Sequence, residues 1–299
     1  MSNQTNQTKR ISRCLTINTQ CDWDCKYCIA ETNLFSTKPP KPRPQDEVLF
    51  LNAMKFLSEV PQDKYWSITL SGGEPGLLPT SKIKEIFQLC YNRGLNIDIN
   101  SNGRIFSKII EIAYDLTVKN PEERNIKNCV NTIDWHIIPD ISEVVDASNI
   151  NQIDTQKFLS KINIPKSFKE LDQSTGDPSK QKPSPAIELS SVIKLIDKLV
   201  FYFTTKHKIL VRPLIVVTKQ DIPLLDTFLK NFQLQIPIEV RICEIDQSGH
   251  NKDLIVKNLD ILKVYQILLN HPNIVSEESL DIINKILNKE KRNHFDSDN

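Results

Sequence analysis

From Arg13 to Cys243 the chain alternates between two hydrophobic periods, and this rhythm restricts the fold more than any other feature of the sequence. Short runs suited to strands are Arg13 to Ile17, WSITL (66–70), LNIDI (95–99), Thr132 to Ile138, Ile209 to Val217 and IEVRIC (238–243). Between them the apolar residues recur at helical spacing. Phe50, Leu51, Met54 and Leu57 share one helical face, and Ile83, Ile86, Phe87 and Cys90 share another. Leu189, Val192, Ile193, Ile196, Leu199, Val200 and Phe203 form a third stripe, and further helices are expected from Ser107 to Leu116 and from Asp221 onward. Thr80 is placed to cap the second helix and Gly94 to stop it. Six β-then-α units predict an α/β fold of parallel strands with outer helices, either a partial (β/α)6 barrel of TIM type or an open doubly wound sheet. In both, ligands collect where the βα loops converge, at the C-terminal ends of the strands.

Two stretches interrupt the rhythm. KPPKPRP (38–44) cannot continue regular structure, and residues 139–187, ending in DQSTGDPSKQKPSPA, predict a loop-rich insert. The expected division is a disordered N-terminal tail over 1–12, a barrel over 13–250 carrying that insert, and a C-terminal helical extension over 251–299 that frays beyond Lys289. A chain of 299 residues can bury a core without staples. Its 38 Lys and Arg against 37 Asp and Glu leave a net charge of +1, too little to recruit nucleic acid or an anionic membrane. No apolar run has the length of a bilayer span and MSNQTNQTKRISR lacks the apolar core of a signal peptide, so a cytoplasmic protein is expected.

The 7 cysteines do not resemble a secreted disulfide framework: Cys14, Cys90, Cys129 and Cys243 are scattered, and Cys21, Cys25 and Cys28 crowd into CDWDCKYC just after the first strand. Three thiolates on one turn suit a four-iron cluster with one iron left open, and an open coordination position marks a metal that reacts with substrate. The same trio with Cys14 or an aspartate suits a structural zinc site. After the second strand comes SGGEP. Gly72 and Gly73 let backbone approach a ligand, Pro75 biases Glu74 towards an extended conformation, and the Glu74 carboxylate can accept from a ligand ammonium. A tight turn with a solvated glutamate is the plainer reading. After the third strand, Ser101 and Asn102 in INSNG can bond ribose hydroxyls or simply form an Asn-Gly turn.

Taken together, the Cys-x3-Cys-x2-Cys loop, GGEP and Ser-Asn-Gly resemble the radical S-adenosylmethionine superfamily, with motifs covering residues 11–105. The resemblance implies a [4Fe-4S] cluster on Cys21, Cys25 and Cys28, with S-adenosyl-L-methionine on its open iron, Tyr27 near the adenine, and Gly72 to Pro75 at the methionine amino group. It also implies an oxygen-sensitive enzyme. A one-electron donor of flavodoxin or ferredoxin type would reduce the cluster, and a 5′-deoxyadenosyl radical would take hydrogen from a peptide or small-molecule substrate. VRPLIVVTKQD (211–221) and VRICEIDQSG (240–249) resemble the molybdopterin-precursor-cyclase branch, placing Val217 and Thr218 at the adenine and Arg212 at a carboxylate; buried structural roles for these residues stand beside that reading. In DWHIIPD, Asp134 and His136 share one side of a strand and Trp135 takes the other, so His136 either touches substrate or bonds within the core. No cysteine follows Cys243, so no C-terminal auxiliary-cluster domain is expected. Two other functions fit the motifs: an activase that installs a glycyl radical on a partner enzyme, and a non-catalytic zinc or iron–sulfur module.

Overall fold

A computed structural model describes residues 11–23, 25–28, 44–61, 66–119, 129–145, 151–166, 188–243 and 254–271. Six strands form one sheet: β1 (Ile11–Asn18), β2 (Trp66–Gly72), β3 (Ile97–Ser101), β4 (Val130–His136), β5 (Leu210–Val217) and β6 (Glu239–Ile242). Their spatial order is the chain order, and every neighbouring pair is parallel. Parallel neighbours need a crossover, and helices supply it: α1 (Pro44–Glu59), α2 (Thr80–Asn92), α3 (Arg104–Lys119), α5 (Leu189–Tyr202) and α6 (Ile222–Asn231). The fold is the α/β partial (β/α)6 barrel, and all six strands deliver their C-terminal ends to one rim. Among the described residues no helix is long and apolar enough to cross a membrane.

Register puts the strands' side chains in layers across the inner face. Asn100, Asp134 and Arg212 stand side by side, His136, Leu214 and Glu239 form the next layer, and Val216 pairs with Arg241 nearest the rim. The opposite face carries Ile97, Ile99, Ile133, Trp135, Val211, Ile215 and Val217, all buried. Phe50 and Leu57 of α1, Ile86 and Phe87 of α2, and Ile105 and Phe106 of α3 complete that core. Trp135 sets its ring edge-on against Phe106 at 5.1 Å, an arrangement worth about 1 kcal/mol beyond area burial.

Local differences from the expected elements have physical causes. β1 starts two residues before Arg13, where Ile11 pairs with Trp66. β3 starts at Ile97 instead of Leu95, because Gly94 takes a φ of 60° and the Leu95 N–H turns back to the Cys90 carbonyl, closing the end of α2. Thr80 is not the cap of α2. Pro79 holds that position, and the Thr80 hydroxyl instead donates to Glu111 (2.8 Å). Within the expected insert, Ile141, Val144 and Ile153 are buried, and α4 (Thr155–Lys161) starts at Asp154, which accepts from the Gln156 and Lys157 N–H groups. Residues 146–150 and 167–187 of that segment lie outside the described residues, as do 1–10, 244–253 and 272–299 of the expected tail, sixth-strand motif and extension. The extension contributes α7 (Asn258–Leu268).

Candidate functional site

Past Asn18 the chain turns into the cysteine loop, and one buried carboxylate holds the turn. Asp46, in the first turn of α1, accepts from the Thr19 N–H (2.7 Å) and hydroxyl (2.8 Å) and from the Gln20 carboxamide (2.9 Å). The positive end of the α1 dipole favours an acid there. Next, the end of β2 zips onto this segment: the Gly73 N–H donates to Asn18 O (2.8 Å), the Glu74 N–H to Gln20 O (2.5 Å), and Asn18 Nδ2 to Glu74 O (2.9 Å). The two glycines serve this closeness. A Cβ on Gly72 would lie 2.4 Å from Asn18 O and one on Gly73 2.0 Å from Gln20 O. The nearest neighbour that excludes a side chain at these positions is therefore the cysteine loop's own backbone. Gly72 also has a φ of 116°, which only glycine adopts without strain.

Glu74 is buried with its carboxylate turned onto the end of β3. Oε1 accepts from the Gly76 N–H and the Ser101 hydroxyl, both at 2.7 Å, and Oε2 accepts from the Asn102 N–H at 2.6 Å. Burial raises its pKa to about 7 although all three donors pull the other way. Oε2, with one donor, keeps a lone pair for another. The Ser101 hydroxyl also accepts from the Gly103 N–H (2.9 Å). Ser101 is thus occupied in joining β2 to the start of α3.

Around these strand ends lies a cavity of about 330 Å3. Cys21, Cys25, Cys28 and Tyr27 line it together with Gly72, Gly73, Glu74, Ser101 and Asn102, so residues from three separate motifs meet in one space. Among the described residues none of the three is in a disulfide. Burial pushes the Cys21 thiol up to about 12, against a pull from the Trp23 N–H, which reaches Cys21 Sγ at 3.5 Å, and burial also raises Cys25. A desolvated thiol stays protonated, whereas a thiolate in such a place requires a metal's charge beside it. Among the described residues no three His, Cys, Asp or Glu side chains form a group able to hold a metal ion.

Across the cavity, His136 stacks on Tyr27 with ring centroids 6.4 Å apart and the planes 21° apart, and its Nδ1 lies 3.4 Å from the Tyr27 hydroxyl. Burial, with Arg241 adding to it, lowers the His136 pKa to about 4, so the imidazole is neutral at ordinary pH. Below it, Asp134 Oδ1 accepts from Arg212 Nε (2.8 Å) and Nη2 (2.7 Å), while Oδ2 accepts from Arg241 Nη2 (2.6 Å). Glu239 completes a ring of alternating charge through Arg241 Nε (2.8 Å) and more distantly Arg212 (3.9 Å).

Four expected site residues stand elsewhere. Pro75 is buried at the start of a single turn, Pro75–Leu77. Arg212 is paired with Asp134 one layer below His136. Val217 is buried on the outer face, and the Thr218 hydroxyl donates to Asp221 (2.7 Å). Val216, Arg241, Asn100 and Trp23 line the cavity instead. Strand parity identifies Val216: with Arg212 facing inward, a period of two brings 214 and 216 inward and sends 217 out. Asn100 Oδ1 is buried with no hydrogen-bond partner among the described residues.

No protein-family model matches the sequence, and no curated protein does. Among solved structures the chain is similar to native anSMEcpe with bound AdoMet, at 16% identity and a TM-score of 0.43, covering 89% of this chain and 64% of that one. A second, native anSMEcpe with bound AdoMet and Kp18Cys peptide, is 17% identical with a TM-score of 0.41, covering 89% and 63%. The chain thus spans less than two thirds of the length of these proteins.

Proposed function

We propose that this protein is a radical S-adenosylmethionine enzyme. One observation carries the reading: the thiols of Cys21, Cys25 and Cys28 open into the same cavity as the glycine-rich end of β2 and the end of β3. Three cysteines on one cavity wall could ligate three irons of a four-iron cluster and leave the fourth open. When bound, the cluster and S-adenosylmethionine supply a 5′-deoxyadenosyl radical that removes hydrogen from substrate. The chain's share is placement and exclusion of water. Glu74 Oε2 offers its remaining lone pair to an ammonium. The neutral His136 stacks on Tyr27 and holds that ring at the cavity wall.

The substrate in this reading is a peptide or small molecule with polar groups, since the wall facing the thiols presents His136 and Arg241. A flavodoxin- or ferredoxin-type donor in the cytoplasm would reduce the cluster, because cluster potentials reach about −700 mV. The test is anaerobic reconstitution with iron and sulfide, then reduction with S-adenosylmethionine present. Wild type should bind about four iron and four sulfide per chain and release 5′-deoxyadenosine, and Cys25→Ala should release none. Zinc uptake without sulfide, or 5′-deoxyadenosine from the Cys25→Ala protein, would overturn the proposal.

A further inference from the structure

Asn102 stands where three elements of the site meet. Its N–H donates to Glu74 Oε2 (2.6 Å), which fixes it to the end of β2. Its side chain reaches across the cavity rim to the cysteine loop: Nδ2 donates to Asp22 Oδ1 at 2.7 Å and lies 4.0 Å from Cys21 Sγ. Its Oδ1 accepts from the Arg104 N–H at 3.3 Å. The Arg104 side chain then closes the circuit, with Nε and Nη2 at 2.7 and 2.6 Å from Asp22 Oδ2. These partners settle which way the carboxamide points, since only a donor can face Asp22 and only an acceptor can face the Arg104 N–H.

Count the hydrogens. A carboxamide has two N–H bonds; with one on Asp22 and the Cys21 sulfur 4.0 Å from the same nitrogen, both are engaged within the cysteine loop. The ion pair alone explains little, because Arg104 is half exposed and such pairs contribute at most about 1 kcal/mol. Its effect is geometric: it holds Asp22, the residue next to Cys21, against the carboxamide of a residue anchored on Glu74.

We propose that Asn102 is a positioning residue for Cys21: with Asp22 and Arg104 it fixes that sulfur relative to the end of β2 and aims an N–H at it. This rests on the reading that the cysteines hold an iron–sulfur cluster. A donor to a ligating sulfur stabilises the reduced, more negative cluster and so raises its potential. The test uses the anaerobically reconstituted full chain as wild type, Asn102→Ala and Arg104→Met. For each, iron and sulfide content, the electron paramagnetic resonance spectrum of the reduced cluster, its midpoint potential and the affinity for S-adenosylmethionine are measured.

Asn102→Ala should shift the potential to more negative values, alter the spectrum and weaken iron retention about tenfold, with the affinity for S-adenosylmethionine unchanged. Arg104→Met should move the same readouts in the same direction by less, and its exposed side chain makes misfolding no obstacle. Variants with wild-type spectrum and potential overturn the proposal, whatever their affinity for S-adenosylmethionine; a loss of that affinity alone returns Asn102 to the ribose. Failure of wild type to take up any cluster sinks the underlying reading and is told apart by that.

Discussion

The two sides of the cavity are held by different forces. On the side of β1 to β3, polar groups are fixed by backbone: Gly73 and Glu74 lie on the carbonyls of Asn18 and Gln20, and the Glu74 carboxylate accepts from the N–H groups of Gly76 and Asn102. On the side of β4 to β6, side-chain charges fix one another, with Arg212 and Arg241 closing on Asp134 and Glu239. The first arrangement depends on distance of approach and the second on charge balance, so they should fail under different substitutions. A methyl group should ruin the first side, and an isosteric loss of charge should ruin the second.

The largest effect is expected at Gly73. A Cβ there would sit 2.0 Å from Gln20 O and 2.6 Å from Gln20 N, both backbone atoms with no rotamer to change. Gly73→Ala must therefore push the cysteine loop off the end of β2, at a cost of about 4 kcal/mol or more. Urea unfolding measures the loss, and the same variant should take up iron poorly. Normal stability would mean that the β1–β2 zipper is looser than its hydrogen bonds indicate.

Asp134→Asn tests the other side. The substitution keeps the shape and leaves two guanidinium groups facing one carboxylate, Glu239, with Asp134 itself buried. Breaking a buried charge network by removing one partner costs about 3 kcal/mol. Cluster uptake should survive, because the bonds described for Thr19, Gln20, Asp22 and Lys26 run to Asp46, Asn102, Arg104, Asp140 and Ser142. Equal damage to iron retention in this variant would show that the two sides are mechanically one.

This division also explains what could be read from the sequence. The backbone-held side announces itself, because close approach requires glycine and extended entry suits proline, so GGEP and the cysteine spacing are visible as letters. The helical stripes of α2 and α5 are equally legible, since apolar spacing alone sets the buried face. The charge-held side has no such signature. Nothing in VRIC reveals that Arg241 spans from the rim to Asp134, because that pairing depends on which residues of β4, β5 and β6 share a layer. Likewise Asp46 looks like an ordinary acid in a helix's first turn, and only the path of β1 into its loop makes it the anchor for Thr19 and Gln20. Arg212 and Val217 were incompatible as joint lining residues on strand parity alone, and parity resolves in favour of Val216.

A smaller effect is expected from pH, on the seam between the two sides. His136 faces Tyr27, Asp134 and Arg241, and its pKa falls from 6.5 to about 4 mainly through burial. The unfolded chain then binds the proton more readily than the folded one, so stability is intact above pH 6.5 and is lost as pH falls from 6.5 towards 4. His136→Phe keeps a ring on Tyr27 and cannot charge. Its unfolding free energy should gain about 2 kcal/mol on wild type between pH 7.5 and pH 4.5. A parallel pair of pH curves would place the histidine in contact with water.

The smallest effect separates crowding from conformation, the two reasons a glycine can be required. Gly94 has a φ of 60°, yet a Cβ there would meet nothing within 4 Å. Gly94→Ala should therefore cost only the left-handed strain, about 1 kcal/mol, with iron uptake untouched. Asn adopts that conformation more readily than Ala, so Gly94→Asn should recover part of the loss. At Gly73 no such rescue is available, since Asn carries the same Cβ into the Gln20 backbone. Urea unfolding of both Asn variants measures the contrast: recovery at 94 with none at 73 means the β2 end is held by contact, and recovery at both would mean that the Gln20 backbone yields to a side chain at 73.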